Sequence, residues 1–162
     1  MGVYLSSVGS SAPMDSILRA TRDKIASAAQ YRCEYCQTAQ EISGAQMHIE
    51  HIIPLSRGGS SDESNLCLAC AWCNSYKWAQ THGRDPETHE EVPLFDPRTQ
   101  HWHDHFYWSE NGVYIIGLTA IGHATVDTLK MNNAFIVPAR RHWVEAGWHP
   151  LQSQTPEDTP AE

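Results

Sequence analysis

The sequence contains no apolar run approaching the roughly 20 residues that a membrane-spanning helix needs. Its start, MGVYLSSVGSSAPMDS, lacks the basic segment and apolar stretch of a secretory signal, so we expect a cytoplasmic protein that contacts no membrane. Basic residues are scarce as well, because 11 Lys and Arg stand against 19 Asp and Glu, a formal net charge of −8. This balance counts against a simple nucleic-acid-binding protein, since phosphate contacts need Lys and Arg.

The acidic residues are unevenly distributed, which weakens that objection. Seven of the 19 lie between residues 85 and 110, and three more lie in the final stretch, at Glu157, Asp158 and Glu162. The rest of the chain is close to neutral. A positive potential held locally therefore remains compatible with a nucleic-acid partner.

The length of 162 residues and the hydrophobic content of 41% suit one globular domain. We predict a single domain over residues 13–150. A flexible Ser- and Gly-rich segment would precede it at residues 1–12, and a disordered acidic tail would follow it at residues 151–162. The sequence makes no prediction about the oligomeric state.

Hydrophobic periodicity and turn residues predict a mixture of helices and short strands. The predicted elements are a helix over 14–29, a strand over 46–53, a helix over 74–80, a hairpin around Asn111-Gly112, a helix over 124–131 and a last helix beginning at Pro138. The stretch before residue 100 contains three prolines and is predicted to be irregular. Arg140 and Arg141 are expected on a solvated face of the last helix.

Five cysteines lie at positions 33, 36, 67, 70 and 73. Their odd number and Cys-x-x-Cys spacing favour metal ligation over disulfides. Cys33 and Cys36 with Cys70 and Cys73 would form a closed four-thiolate zinc site of structural type. Pairing of Cys67 with Cys70 is the alternative, but Cys67 lies in the apolar run LCLA and is better suited to a buried thiol.

Between the two cysteine pairs lies a second pattern, HIEHIIPLSRGG, followed by Asn65-Leu66 and, after the last cysteine, by Asn74 and Lys77. His51 is the natural general base for water, because its ring titrates near neutral pH. Neighbouring residues on a strand point to opposite faces, so the strand must end or twist for Glu50 and His51 to serve one site. Pro54 and the loop after it allow this.

These motifs together resemble the HNH endonuclease family, over a motif core of residues 33–77 and more loosely over most of residues 30–150. The resemblance implies an α+β fold: a ββα-metal core with a structural zinc site, flanked by an N-terminal helix and by a C-terminal hairpin plus helices. It also implies a metal-dependent endonuclease that hydrolyses DNA, with RNA as a possible substrate, and leaves 5′-phosphate ends.

The resemblance also implies roles for individual residues. His51 would activate water, while Glu50 and Asn74 would hold one catalytic cation, Mg²⁺ or Mn²⁺. Asn65 would bridge backbone groups across the loop and hold His51 in place. Arg57 and Lys77 would contact phosphate and so bind nucleic acid.

Two positions depart from the usual family pattern. Glu50 stands where Asp is usual, and Asn74 stands in place of the last His. Oxygen ligands at both positions favour a hard cation over catalytic zinc. The longer acid and the acidic balance keep open an alternative, a non-catalytic zinc-stabilised nucleic-acid-binding module. An effector nuclease domain held by a partner is a third hypothesis, for which the chain shows no fused domain.

Overall fold

The computed structural model describes residues 14–150, so the predicted flexible segment 1–12 and the predicted tail 151–162 lie outside the described residues. The helices are α1 (Met14–Ala28), α2 (Gln40–Ser43), α3 (Ala71–Lys77), α4 (Trp102–His105), α5 (Ala120–Thr128) and α6 (Ile136–Glu145). The strands form three antiparallel pairs: β1 (His48–His51) with β2 (Leu66–Ala69), β3 (His82–Arg84) with β4 (Glu91–Pro93), and β5 (Phe106–Trp108) with β6 (Ile115–Gly117). This mixture of helices and small antiparallel strands confirms the predicted α+β class.

The first strand pair and the helix after it form a ββα unit. All four residues of β2 are buried, so this strand crosses the core, and Ile25 and Ala26 of α1 belong to the same apolar cluster. In the β1–β2 register, Glu50 lies opposite Cys67 and His51 lies opposite Leu66. β1 is shorter at both ends than the predicted strand over 46–53, and it ends at His51, where the strand was expected to end or twist.

The helix α3 begins three residues earlier than the predicted 74–80, directly after β2. Cys70 is its N-cap, and the Cys70 sulfur accepts a hydrogen bond from the backbone N–H of Cys73. Cysteine is not among the usual N-cap residues, which are Ser, Thr, Asp and Asn. The sequence therefore carried no signal for the true start of α3, and the predicted start was too late. The helix ends at Lys77, and Trp78 follows it with a positive φ of 47°.

The stretch before residue 100 is more regular than predicted, because β3 and β4 form a hairpin there. The Asp85 carboxylate shapes the turn by accepting hydrogen bonds from the Glu87 backbone N–H at 2.9 Å and the Thr88 hydroxyl at 3.1 Å. The Glu87 bond is the main cause of a lowered pKa for Asp85. Prolines are compatible with this short hairpin, since Pro86 lies in the turn and Pro93 ends β4.

The C-terminal half packs a hairpin against two helices. Asn111-Gly112 connects β5 to β6, which confirms the predicted hairpin. α5 starts at Ala120 rather than near 124, because the Thr119 hydroxyl accepts from the Gly122 N–H. Within residues 14–150, no helix is long and apolar enough to cross a membrane.

The last helix, α6, also starts before the predicted position. The Asn133 side chain accepts from the N–H groups of Phe135 and Ile136, so the helix begins ahead of Pro138. Arg141 is exposed, as expected for a solvated face. The expectation for Arg140 was wrong, because its side chain points inward and is fully buried.

Candidate metal centre and active site

Four cysteine sulfurs lie together, two from the turn between α1 and α2 and two from the first turn of α3. The Sγ atoms of Cys33, Cys36, Cys70 and Cys73 all lie within 4.8 Å of one another, and those of Cys36 and Cys70 are 3.7 Å apart. A tetrahedral zinc site with bonds of about 2.3 Å requires sulfur separations of about 3.8 Å. The donor set and its spacing therefore fit a structural zinc ion.

Each cysteine pair forms the same local turn. The Cys36 N–H donates to the Cys33 sulfur at 3.4 Å, and the Cys73 N–H donates to the Cys70 sulfur at 3.4 Å. Hydrogen bonds from the neighbouring thiols lower the pKa of Cys36 well below the ordinary thiol value, whereas burial raises the pKa of Cys33. A bound cation would stabilise thiolates packed this closely, because it cancels part of their negative charge.

Cys67 is not part of this cluster. It lies in the middle of β2 with no exposed surface, and burial raises the pKa of its thiol to about 12. The sulfurs that lie within 4.8 Å of one another include those of Cys70 and Cys73 but not that of Cys67, so the geometry favours Cys70 and Cys73 as the second ligand pair.

The first cysteine turn is tied to two distant segments through Glu34. Its carboxylate accepts from the Leu68 backbone N–H at 2.7 Å and forms a salt bridge with Arg98, whose Nε also donates to the Leu66 carbonyl at 2.7 Å. Sequence reasoning missed both Glu34 and Arg98. The only sequence signals for a structural role were the position of Glu34 between the two cysteines and that of Arg98 at the end of a Phe-Asp-Pro-Arg segment.

Glu50 is held in a buried ion pair. Its carboxylate accepts from the Lys77 ammonium at 2.8 Å, and the same ammonium donates to the His51 carbonyl at 2.9 Å. The side chain of Lys77 is only 1% exposed. The prediction that Lys77 contacts phosphate is therefore corrected: α3 points this side chain into the core, and it fastens β1 to α3.

His51 lies half-buried at the end of β1. Its Nε2 is 3.0 Å from the Ser61 hydroxyl, in the loop between the two strands. The sequence analysis missed Ser61, because nothing distinguishes it from the other serines of that loop. The contact fixes the direction of the imidazole ring, while the Lys77 bond fixes its backbone.

Asn65 closes the loop that follows His51. Its amide oxygen accepts from the Ile53 N–H at 2.9 Å, and its amide nitrogen donates to the carbonyls of Ile53 at 2.9 Å and Ser60 at 2.7 Å. The Asn65 carbonyl also accepts from the Ile52 N–H at 2.9 Å. The side chain thus bridges backbone groups across the loop, beside His51.

Asn74 and Arg57 are the remaining predicted site residues, and they lie on α3 and in the loop, respectively. Asn74 is half-buried on α3, one turn before Lys77. The same helix is therefore fastened to β1 by the ion pair between Lys77 and Glu50. Arg57 is exposed in a short 3-10 turn, Leu55–Arg57. The polar residues of the motif therefore come from three neighbouring pieces of chain: the end of β1, the loop closed by Asn65, and α3.

Comparison with known proteins gives one finding. Residues 33–80 match the model of the HNH endonuclease family. No curated protein and no solved structure matches the chain. The matched segment contains the four clustered cysteines together with Glu50, His51, Asn65 and Asn74, and an HNH region implies a nuclease-type function. The resemblance to HNH endonucleases predicted from the sequence is therefore confirmed for residues 33–80.

Proposed function

We propose that this protein is a metal-dependent endonuclease that hydrolyses phosphodiester bonds in DNA. The observation that carries the proposal is the HNH match over residues 33–80, which spans every residue that such chemistry requires. A base for water, a cation for the developing charge and a fixed geometry are the three requirements. Each has a candidate within β1, the loop after it and α3.

His51 is the proposed general base. When its Nε2–H donates to Ser61, the other ring nitrogen, Nδ1, keeps the lone pair that accepts a proton from water. Asn65 supports this role by holding the backbone directly after His51. Lys77 supports it from the other side through the His51 carbonyl.

Glu50 and Asn74 are the proposed ligands of the catalytic cation. A carboxylate and an amide oxygen form a hard donor pair that suits Mg²⁺ or Mn²⁺. Lys77 binds Oε1 of Glu50, which orients the carboxylate. When bound, the cation supplies electrostatic stabilisation to the charge that develops on the phosphate.

Arg57 is the proposed phosphate contact of the substrate. It is exposed in the loop, and a guanidinium can bind two phosphate oxygens at once. Water attack assisted by His51 would leave 5′-phosphate and 3′-hydroxyl ends. Net charge is strongly negative, so we propose that DNA is held by this local positive group near the site rather than by a broad basic surface.

Nicking of a supercoiled plasmid in Mg²⁺ or Mn²⁺ tests the proposal. We expect the wild-type protein to nick, and His51→Ala to be slower by about 100-fold or more, the usual contribution of a general base. His142→Ala is the matched control, since His142 is exposed on α6, and it should nick like wild type. Equal rates for the His51 variant and wild type would refute the role of His51.

The buried Glu50–Lys77 ion pair favours one alternative, a zinc-stabilised nucleic-acid-binding module without catalysis. In that case Lys77 would neutralise Glu50, and no cation would bind there. Wild-type protein that retards DNA in a gel but never nicks it, in either cation, would support this alternative. The same cleavage assay with RNA and with single-stranded DNA as substrates would define the substrate class.

A further inference from the structure

Arg140 is the largest side chain that is fully buried among residues 19–150, whose side chains the structure describes. It lies on α6, outside the segment that matches the HNH family. Its NH1 group donates to the Asn132 side chain at 3.1 Å and the Val113 carbonyl at 3.3 Å. Its Nε and NH2 groups form no hydrogen bond within the described part of the chain. A buried guanidinium left partly unsatisfied is costly, so a compensating group is expected nearby.

No carboxylate of residues 19–150 forms a salt bridge with Arg140. The aromatic ring of Trp108 covers one side, with its centroid 5.2 Å from the guanidinium carbon. The helix α6 borders the cysteine cluster: Ile136 and Ala139 line one cavity together with Thr38 and Cys70, and the Thr38 hydroxyl lies 3.2 Å from the Cys36 sulfur. Burial lowers the pKa of Arg140, and the sulfurs of Cys36, Cys73 and Cys70 oppose that effect.

The charge of a filled zinc site explains why a buried cation belongs here. Four thiolates around one Zn²⁺ leave two net negative charges in the core. Lys77, the buried cation of the matched HNH segment, is already paired with Glu50. Groups that donate hydrogen bonds to metal ligands fix their orientation and tune metal affinity. The two unpartnered N–H groups of Arg140 suit such a task.

We propose that Arg140 is a positioning residue of the zinc site, which balances the charge of the thiolates and donates a hydrogen bond to the Cys36 sulfur. α6 would then be part of the metal centre although it lies far along the chain. The proposal rests on zinc binding by the four cysteines and not on endonuclease activity. A protein that binds zinc but does not nick DNA would therefore not count against this proposal.

Competition for zinc between the full-length protein and a chromogenic chelator tests the proposal. We expect Arg140→Met, which keeps much of the side-chain volume, to bind zinc 10- to 100-fold more weakly, the usual effect of losing a partner of a metal ligand. Arg141→Met, on the next residue of α6, is the matched control because Arg141 is exposed, and it should match wild type.

Substitution with Co²⁺ gives a second readout that a packing role would not move. Loss of a hydrogen bond and a positive charge beside a thiolate should shift the sulfur-to-cobalt charge-transfer band to lower energy in Arg140→Met. Arg140→Lys keeps the charge and should give a smaller shift. If Arg140→Met does not fold, Arg140→Lys decides alone. Zinc affinity and a cobalt band equal to wild type in the folded variants would overturn the proposal.

Discussion

At the scale of single residues, the ion pair between Lys77 and Glu50 joins the site to the core. Lys77 is buried, and it bonds both the Glu50 carboxylate and the His51 carbonyl. Removing one partner of a buried pair leaves an uncompensated charge. Lys77→Met should therefore lower the free energy of unfolding by about 3–5 kcal/mol, measured by urea denaturation.

A double variant separates this structural role from a phosphate contact. Lys77→Met with Glu50→Gln removes both charges, so it should recover part of the lost stability. A Lys77→Met protein with wild-type stability but weaker DNA binding would instead favour the original phosphate role. Gln80→Ala, exposed just beyond α3, is a suitable control for the chemical denaturation.

Asn65 offers a second test at this scale. Asn65→Ala removes three side-chain hydrogen bonds to the backbone of Ile53 and Ser60. At about 1 kcal/mol for each bond, the free energy of unfolding should fall by about 2–3 kcal/mol. The nicking rate should fall as well, because the segment that follows His51 is released. Ser64→Ala, its exposed neighbour, should change neither quantity, and unchanged stability in Asn65→Ala would contradict the bridging role.

Residues with distinctive chemistry and spacing could be predicted from the sequence. Residues whose role depends on being buried could not. Cys33, Cys36, Cys70 and Cys73 follow from their spacing, and Asn65 was expected to bridge the loop. Lys77 looked like a surface base, because its direction depends on how α3 packs against β1. Arg140 is hidden for the same reason, since no pattern in its own helix marks it as buried.

At the scale of elements, the glycines of the C-terminal half allow α5 to approach the hairpin closely. A Cβ on Gly122 would lie 2.1 Å from the His105 carbonyl oxygen, and one on Gly117 would lie 2.5 Å from the His123 nitrogen. Gly122→Ala should therefore force α5 away from β6 and lower the free energy of unfolding by about 2–3 kcal/mol. Gly44→Ala is the control in the same chemical denaturation experiment. A Cβ at this position meets no atom within 4 Å, and only the positive φ of 64° disfavours the new side chain.

The cysteine turns define a second prediction for elements, because they bring the turn between α1 and α2 against the start of α3. Cys70→Ser should abolish stoichiometric zinc, as measured by metal analysis of the purified protein. Cys67→Ser should retain one equivalent and lose only packing, because Cys67 is a buried thiol of β2. The opposite result, with zinc lost only in Cys67→Ser, would restore the alternative pairing.

Elements with a strong local signal were predicted well, and those that depend on side-chain caps were displaced. α1 and the Asn111-Gly112 hairpin follow from periodicity and turn chemistry. α3, α5 and α6 all start earlier than predicted, because Cys70, Thr119 and Asn133 satisfy their first N–H groups. The hairpin of β3 and β4 depends on a carboxylate bridge within the turn, which periodicity does not register.

At the scale of the whole molecule, the zinc site holds together segments that are distant in sequence. We expect a strong chelator to lower the thermal midpoint by about 10 °C or more, since a closed thiolate site contributes its binding energy to folding. Zn²⁺ should restore the midpoint in calorimetry, whereas Mg²⁺ should not, because thiolates prefer the softer ion. An unchanged midpoint after verified removal of zinc would show that the fold does not depend on the metal.

The residues that support the cysteine cluster are synthesised after the cysteines themselves, which has a consequence during translation. A growing chain on the ribosome has both cysteine pairs once residue 73 has been made, and the loop with His51 is already present. Arg98, which fastens Glu34, follows later, and Arg140 follows later still. The cysteine cluster therefore gains these supports only after α6 has been synthesised, so we expect a nascent chain that stops before Arg98 to bind zinc more weakly than one that includes α6.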